Sequence, residues 1–213
     1  MIDMNTRTAS TAIDSIVIEA ADPAAAERFY ADAFGLGRRL RVRAADSPST
    51  GFRGFMASLL VSQPAAVRRI VDAAVAAGGT LVKPAAKSMW GFGGVVQAPD
   101  GSVWKIATAA KKDTGPDTGE IDRIVLLIGA DDILASKRFY VEQGFSVGKS
   151  FGRSYVEFAN PEGAIQLGLY RRGPLAKDAG VPAEGSGSHR LVLVGGRAAA
   201  IDPDGFEWEP AEH

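Results

Sequence analysis

Residues 13–36 read IDSIVIEAADPAAAERFYADAFGL, and residues 121–145 read IDRIVLLIGADDILASKRFYVEQGF. Both run from an Ile-Asp-x-Ile-Val segment through an acidic turn into a stretch carrying Arg-Phe-Tyr, and then reach glycine. The two copies also close alike, with PDGSVWK at 99–105 and PDGFEWE at 203–209. Matched openings and matched endings in the same order mark an internal repeat, and a repeat constrains the fold before any single element does.

Each opening reads as strand, turn and helix. Ile13, Ile16, Val17 and Ile18 are β-branched and suit a half-buried strand. Asp22 is placed to cap a helix with Pro23 in its first turn. Ala26, Phe29, Tyr30 and Ala33 then recur at helical spacing, and Gly35 supplies a stop. In the second copy Asp132 is the cap, Phe139 and Tyr140 the inward face, and Gly144 the stop. A further helix is predicted over 64–77, from Pro64 to the Gly78-Gly79 stop, with Val67, Ile70, Val71, Ala74 and Val75 as its apolar stripe. The Pro-Asp-Gly tripeptides predict turns leading into short closing strands.

Segment 109–120, AAKKDTGPDTGE, is polar and holds Gly and Pro, so it reads as a linker. Expected domains therefore span 13–108 and 121–211. Residues 1–12 read as a flexible tail, and His213, the last residue, as a disordered end.

The bulk properties exclude several classes. The chain has 213 residues, 46% hydrophobic and 23% charged, enough apolar content to bury a core. A formal net charge of −1 gives no field to recruit nucleic acid or an anionic membrane. Zero cysteines rule out disulfides, thiolate metal sites and a cysteine nucleophile, and fit a reducing compartment. No apolar run is long enough for a membrane span or a signal peptide, so a cytoplasmic protein is expected.

The repeat resembles the vicinal oxygen chelate superfamily of glyoxalases, bleomycin-resistance proteins and extradiol dioxygenases. The motifs that carry the resemblance are the Ile-Asp-x-Ile-Val opening, the Phe-Tyr helix, the AAGGTLVKP stretch at 76–84 and the Pro-Asp-Gly-x-x-Trp ending. It implies an α+β fold of tandem glyoxalase-like domains built from βαβββ modules, whose curled mixed sheets form cups. Metal-dependent members hold a divalent ion in the cup with His, Glu or Gln, His and Glu; the ion acts as a Lewis acid on two neighbouring substrate oxygens.

Carried over residue by residue, the resemblance puts Ser15, Met56 and Lys105 at ligand positions of the first domain, whose middle hairpin reads as shortened. Serine is a poor ligand and lysine is a cation at neutral pH, so no metal is expected there. Lys105 reads either as an exposed strand-end lysine or as a cup-facing cation for an acidic ligand. In the second domain, which reads as lacking its second helix, the positions fall on Arg123, Gln166, His189 and Glu209. Arg123 would sit about where the metal sits, paired with Glu209 or facing an acidic ligand.

Trp90 and Phe92 lie in a Gly-rich stretch that the resemblance places at the rim of a cup, where they would stack on a flat ligand. The implied function is a metal-independent, cofactor-free protein that binds a planar or acidic metabolite, with dimer formation left open. The alternative is a metal-dependent lyase, isomerase or dioxygenase, with a divalent ion at Gln166, His189 and Glu209.

Overall fold

The computed structural model describes residues 11–161, 163–196 and 198–211; of the expected tail over 1–12, residues 1–10 lie outside them, as does His213, whereas Thr11 is buried and bonded to the Gln143 and Gly144 carbonyls rather than free. The first module is β1 (Ser15–Ala20), α1 (Pro23–Ala33) and β2 (Leu40–Ala44), followed by a two-residue strand β3 (Thr50–Gly51). A complete βαβββ module follows: β4 (Phe55–Leu60), α2 (Pro64–Ala76), β5 (Thr80–Ser88), β6 (Gly91–Gln97) and β7 (Val103–Thr108). After the linker a second complete module holds β8 (Arg123–Ala130), α3 (Ile133–Glu142), β9 (Val147–Phe151), β10 (Tyr155–Phe158) and β11 (Gln166–Arg171). Then come α4 (Arg172–Ala179), β12 (Gly185–Ser186) and a last, helix-less module of β13 (Leu191–Gly196), β14 (Ala200–Ile201) and β15 (Glu207–Pro210). No described helix is long and apolar enough to cross a membrane.

The caps form as their side chains dictate. Asp22 accepts from the Ala25 amide at 3.0 Å, and Asp132 from Leu134 and Ala135 at 2.9 and 3.2 Å. These contacts satisfy amides that the first helical turn leaves without partners.

The modules pair across the repeat. β4 runs antiparallel to β8, with Ser58 opposite Val125, and joins the two complete modules into an eight-stranded sheet ordered β5-β6-β7-β4-β8-β11-β10-β9. β1 runs antiparallel to β13, with Val17 opposite Val192, and joins the two incomplete modules into a five-stranded sheet ordered β14-β15-β13-β1-β2. Among the described residues one isolated bridge, Ile13 to Ile165, links the sheets. The segments 13–108 and 121–211 are thus repeats in sequence, but each sheet draws strands from both.

One continuous core lies between the sheets and α1–α3. It includes Ile16 and Ile18 of β1, Leu126 and Ile128 of β8, and Leu191 and Leu193 of β13. Each Phe-Tyr helix meets its closing turn here, the first at Asp100 within Pro-Asp-Gly and the second at Asp202, just before that tripeptide. The Tyr30 hydroxyl donates to Asp100 of the first turn and lies 2.7 Å from Ser102 Oγ, with its ring 5.5 Å from that of Trp104. The Tyr140 hydroxyl donates to Asp202 at 2.6 Å beside Trp208. Burial, then the adjacent carboxylate, raises both tyrosine pKa values well above ordinary. Each tyrosine therefore remains a neutral donor that ties its helix to the closing turn.

Candidate functional site

Side chains alternate along the strands, so the eight-stranded sheet has one face under α2 and α3 and another turned away from them. The second face carries Met56, Ser58 and Leu60 of β4, Lys105 and Ala107 of β7, Val125 and Leu127 of β8, and Tyr170 of β11. Its central row sets Lys105 opposite Ser58, Ser58 opposite Val125, and Val125 opposite Gln166.

Part of this face is filled by the chain itself. Leu175, Ala176 and Ala179 of α4 pack on Met56, Val95 and Val103, with Leu127 and Tyr170 alongside. Lys105 Nζ lies 2.8 Å from Asp178 Oδ2. Lys83 Nζ donates to the carbonyls of Asp178 and Lys177 at 2.6 and 3.1 Å, at the helix C-terminus where a cation is favoured. At the other end Arg172 donates to the Phe52 and Gly185 carbonyls at 2.7 and 3.0 Å, with its guanidinium 5.4 Å from the centre of the Phe52 ring.

Beside α4 a cavity of about 510 Å³ remains over β5–β7, lined in part by Lys83, Lys87, Lys105, Trp90 and Asp178. Three lysines against one carboxylate make its wall net cationic. Trp90, at the tip of the β5–β6 hairpin, is 85% exposed and stands at the rim. Phe92 touches the cavity but is 9% exposed; its ring belongs to the core under α2, with the Arg68 guanidinium 5.4 Å from its centre. It is wall rather than rim, because strand alternation turns it to the helix side.

Across α4 lies an aromatic group absent from the sequence reading. The Tyr155 ring is 6.1 Å from Tyr170 and 6.2 Å from Phe151, and its hydroxyl donates to Glu157 at 3.1 Å. Burial and then Glu157 raise the Tyr155 pKa, so it also remains a neutral donor. Period-two alternation in SYVEF and QLGLY was the available signal for these residues, and α4 had only its Gly-Pro and Gly brackets.

On the corresponding face of the five-stranded sheet, Arg43 reaches over three carboxylates. It lies 2.7 Å from Glu19, 2.6 Å from Glu209 and 4.0 Å from Glu207. Ser15 is buried on the same face, opposite Val194. Arg123 does not pair with Glu209, because it stands on the eight-stranded sheet; it lines a cavity of about 440 Å³ with Gln166, Arg39 and Asn160. Gln166 turns its amide nitrogen to the Phe158 carbonyl. His189 lies in a 3-10 turn before β13, its Nε2 buried with no hydrogen-bond partner among the described residues. The alternative metal set Gln166, His189 and Glu209 is therefore divided between the two sheets and is not brought together. Met56 does face the cup but is fully buried beneath α4.

The donor sets do not fit the divalent ion that the fold implies. The central row of the larger cup offers an ammonium, a hydroxyl, an aliphatic side chain and an amide. In the smaller sheet the carboxylates Glu19 and Glu209 are already bonded to a permanent cation, Arg43. Among the described residues no group of three or more His, Cys, Asp or Glu is arranged to hold a metal.

No family model and no curated protein matches the sequence. Solved structures do match. Glyoxalase I from Zea mays aligns over 95% of this chain and 92% of its own, with a TM-score of 0.60 at 14% identity. A putative dioxygenase from Bacillus subtilis aligns over 95% and 85%, with a TM-score of 0.57 at 11% identity. A glyoxalase-related enzyme from Fulvimarina pelagi matches 45% of this chain and 86% of its own, with a TM-score of 0.40 at 26% identity. At these identities the long alignments establish a shared fold.

Proposed function

We propose that this chain, built on the vicinal oxygen chelate fold, binds a small planar acid in the cavity beside Lys105 and does so without a metal. One observation carries the reading: in the central row of the cup an ammonium already holds a carboxylate, Lys105 to Asp178 at 2.8 Å. Both partners are partly exposed, at 31% and 42%. Such pairs contribute about 0–1 kcal/mol, so exchanging Asp178 for a ligand carboxylate costs little. Lys83 and Lys87 extend the cationic wall, and the exposed Trp90 ring supplies a flat apolar surface at the opening.

The experiment is a fluorescence titration with naphthoate, an aromatic acid. Trp104 and Trp208 are buried whereas Trp90 is exposed, so a ligand at the rim changes the emission of Trp90 alone. Saturable quenching that disappears in Trp90→Ala supports the site. Quenching that persists unchanged in that variant would place the ligand elsewhere.

A further inference from the structure

We infer that α4 is a displaceable occupant of the cup, so that an acid binding at Lys105 drives the C-terminal part of this helix off the sheet. The inference rests on the proposed binding reading and adds its regulation: the resting chain holds its own site closed with an internal carboxylate.

The local chemistry of α4 suits release. It has eight residues, too few for a helix that is stable without tertiary support. Its apolar anchor consists of Leu175 and two alanines, Ala176 and Ala179. It is bracketed by breakers, Gly173-Pro174 at its start and Gly180, at φ 81°, beyond its end. Segments held by so few apolar contacts open locally well below the cost of global unfolding.

The ends of α4 are held differently. At the start Arg172 is fixed by carbonyls of Phe52, Ala183 and Gly185, none of which lines the cavity. Gly173, beside that anchor, has no side chain to restrict its backbone, and nothing outside its own helix and chain neighbours lies within 4 Å of where a Cβ would stand. The far end is held by Lys105 on the Asp178 carboxylate and by Lys83 on the last carbonyls. Both lysines also line the cavity. A ligand carboxylate that takes these ammonium groups removes the polar hold on this end and on no other. Departure of Leu175 would then uncover Met56, Val95 and Val103, an apolar floor for the planar part of the ligand.

The test is hydrogen–deuterium exchange over residues 174–180 with and without naphthoate, joined to calorimetric affinities for the parent, Leu175→Ala and Asp178→Asn. A closed resting state lowers apparent affinity by the fraction of open molecules. Weakening the closure should therefore tighten naphthoate binding, by about fivefold or more in either variant, and bound naphthoate should speed exchange over 174–180. Asp178→Asn alters a partly exposed side chain with no change of size, so the comparison survives if Leu175→Ala folds poorly. Naphthoate that binds while exchange over 174–180 stays unchanged or slows would overturn the displacement and leave the binding reading standing. Failure of the parent and both variants to bind naphthoate would overturn both.

Discussion

Glu209, on the closing strand β15, is bonded to Arg43 of β2 at 2.6 Å, although β13 and β1 lie between their strands. The guanidinium also holds Glu19, whose side chain is 9% exposed, and approaches Glu207. Burial works to lower the Arg43 pKa, but hydrogen bonds to Glu209 and Glu19 outweigh it and the net shift is upward. One cation thus spans four strands contributed by both halves of the chain. Arg43→Met leaves three carboxylates facing one another and should destabilise the fold by about 1–2 kcal/mol, discounted for partial exposure. Urea denaturation checks this, and the difference should shrink in high salt as the repulsion is screened.

The paired tyrosines give a second expectation. Tyr140→Phe removes a donor from Asp202 in a buried setting and should cost about 1–3 kcal/mol. Tyr30→Phe should cost a similar amount at Asp100. A loss below about 0.5 kcal/mol in either, read from urea midpoints, would mean that these hydroxyls do not tether the helices.

Asp202 also sets a pH dependence. Burial raises its pKa, against hydrogen bonds from Tyr140 and backbone amides that lower it. A folded-state pKa above the unfolded value gives stability that is present at low pH and lost as pH rises through the folded value. Asp202→Asn keeps an oxygen for the amides of Asp204 and Phe206 but cannot ionise. The stability of the parent relative to this variant should therefore fall as pH rises above the ordinary carboxylate range, about 4. A flat difference, or one that rises, contradicts the assignment.

Burial also separates two ion pairs of similar appearance. Arg53 and Asp100 are 5% and 1% exposed and 3.3 Å apart, and burial lowers the Arg53 pKa. Arg53→Met should cost about 3–5 kcal/mol, because the carboxylate stays buried without its cation. Arg69, 44% exposed on Asp117, should give about 0–1 kcal/mol on the same change. Equal losses in the two variants, measured by chemical denaturation, would show that burial does not decide.

The strands, caps and turns of the repeat were legible because they are local. Asp22 and Asp132 cap where their spacing to the apolar stripe requires, and each Phe-Tyr helix is tied to its closing turn, at Asp100 and at Asp202. The pairing of β4 with β8 and of β1 with β13 was not legible, since backbone hydrogen bonding between distant strands leaves no periodicity in either. That is why Arg123 and Glu209 were set together and lie on different sheets. The sequence left Lys105 open between an exposed strand end and the cup, and its partner Asp178 sits on a Gly- and Pro-bracketed helix whose weakly amphipathic sequence gives little sign of its position. The resemblance puts the whole Gly-rich stretch at the rim, but strand parity turns the Phe92 ring to the core.

The most direct test of the central claim is calorimetry of naphthoate against protein dialysed with a strong chelator, comparing the parent with Lys105→Met, which keeps much of the stem and deletes the charge. The account predicts saturable binding by the chelated parent, a loss of about tenfold or more in Lys105→Met, roughly one lost charge-assisted contact, and little binding of neutral naphthylmethanol by either. Binding that needs an added divalent ion, or that is equally tight in Lys105→Met, would contradict it.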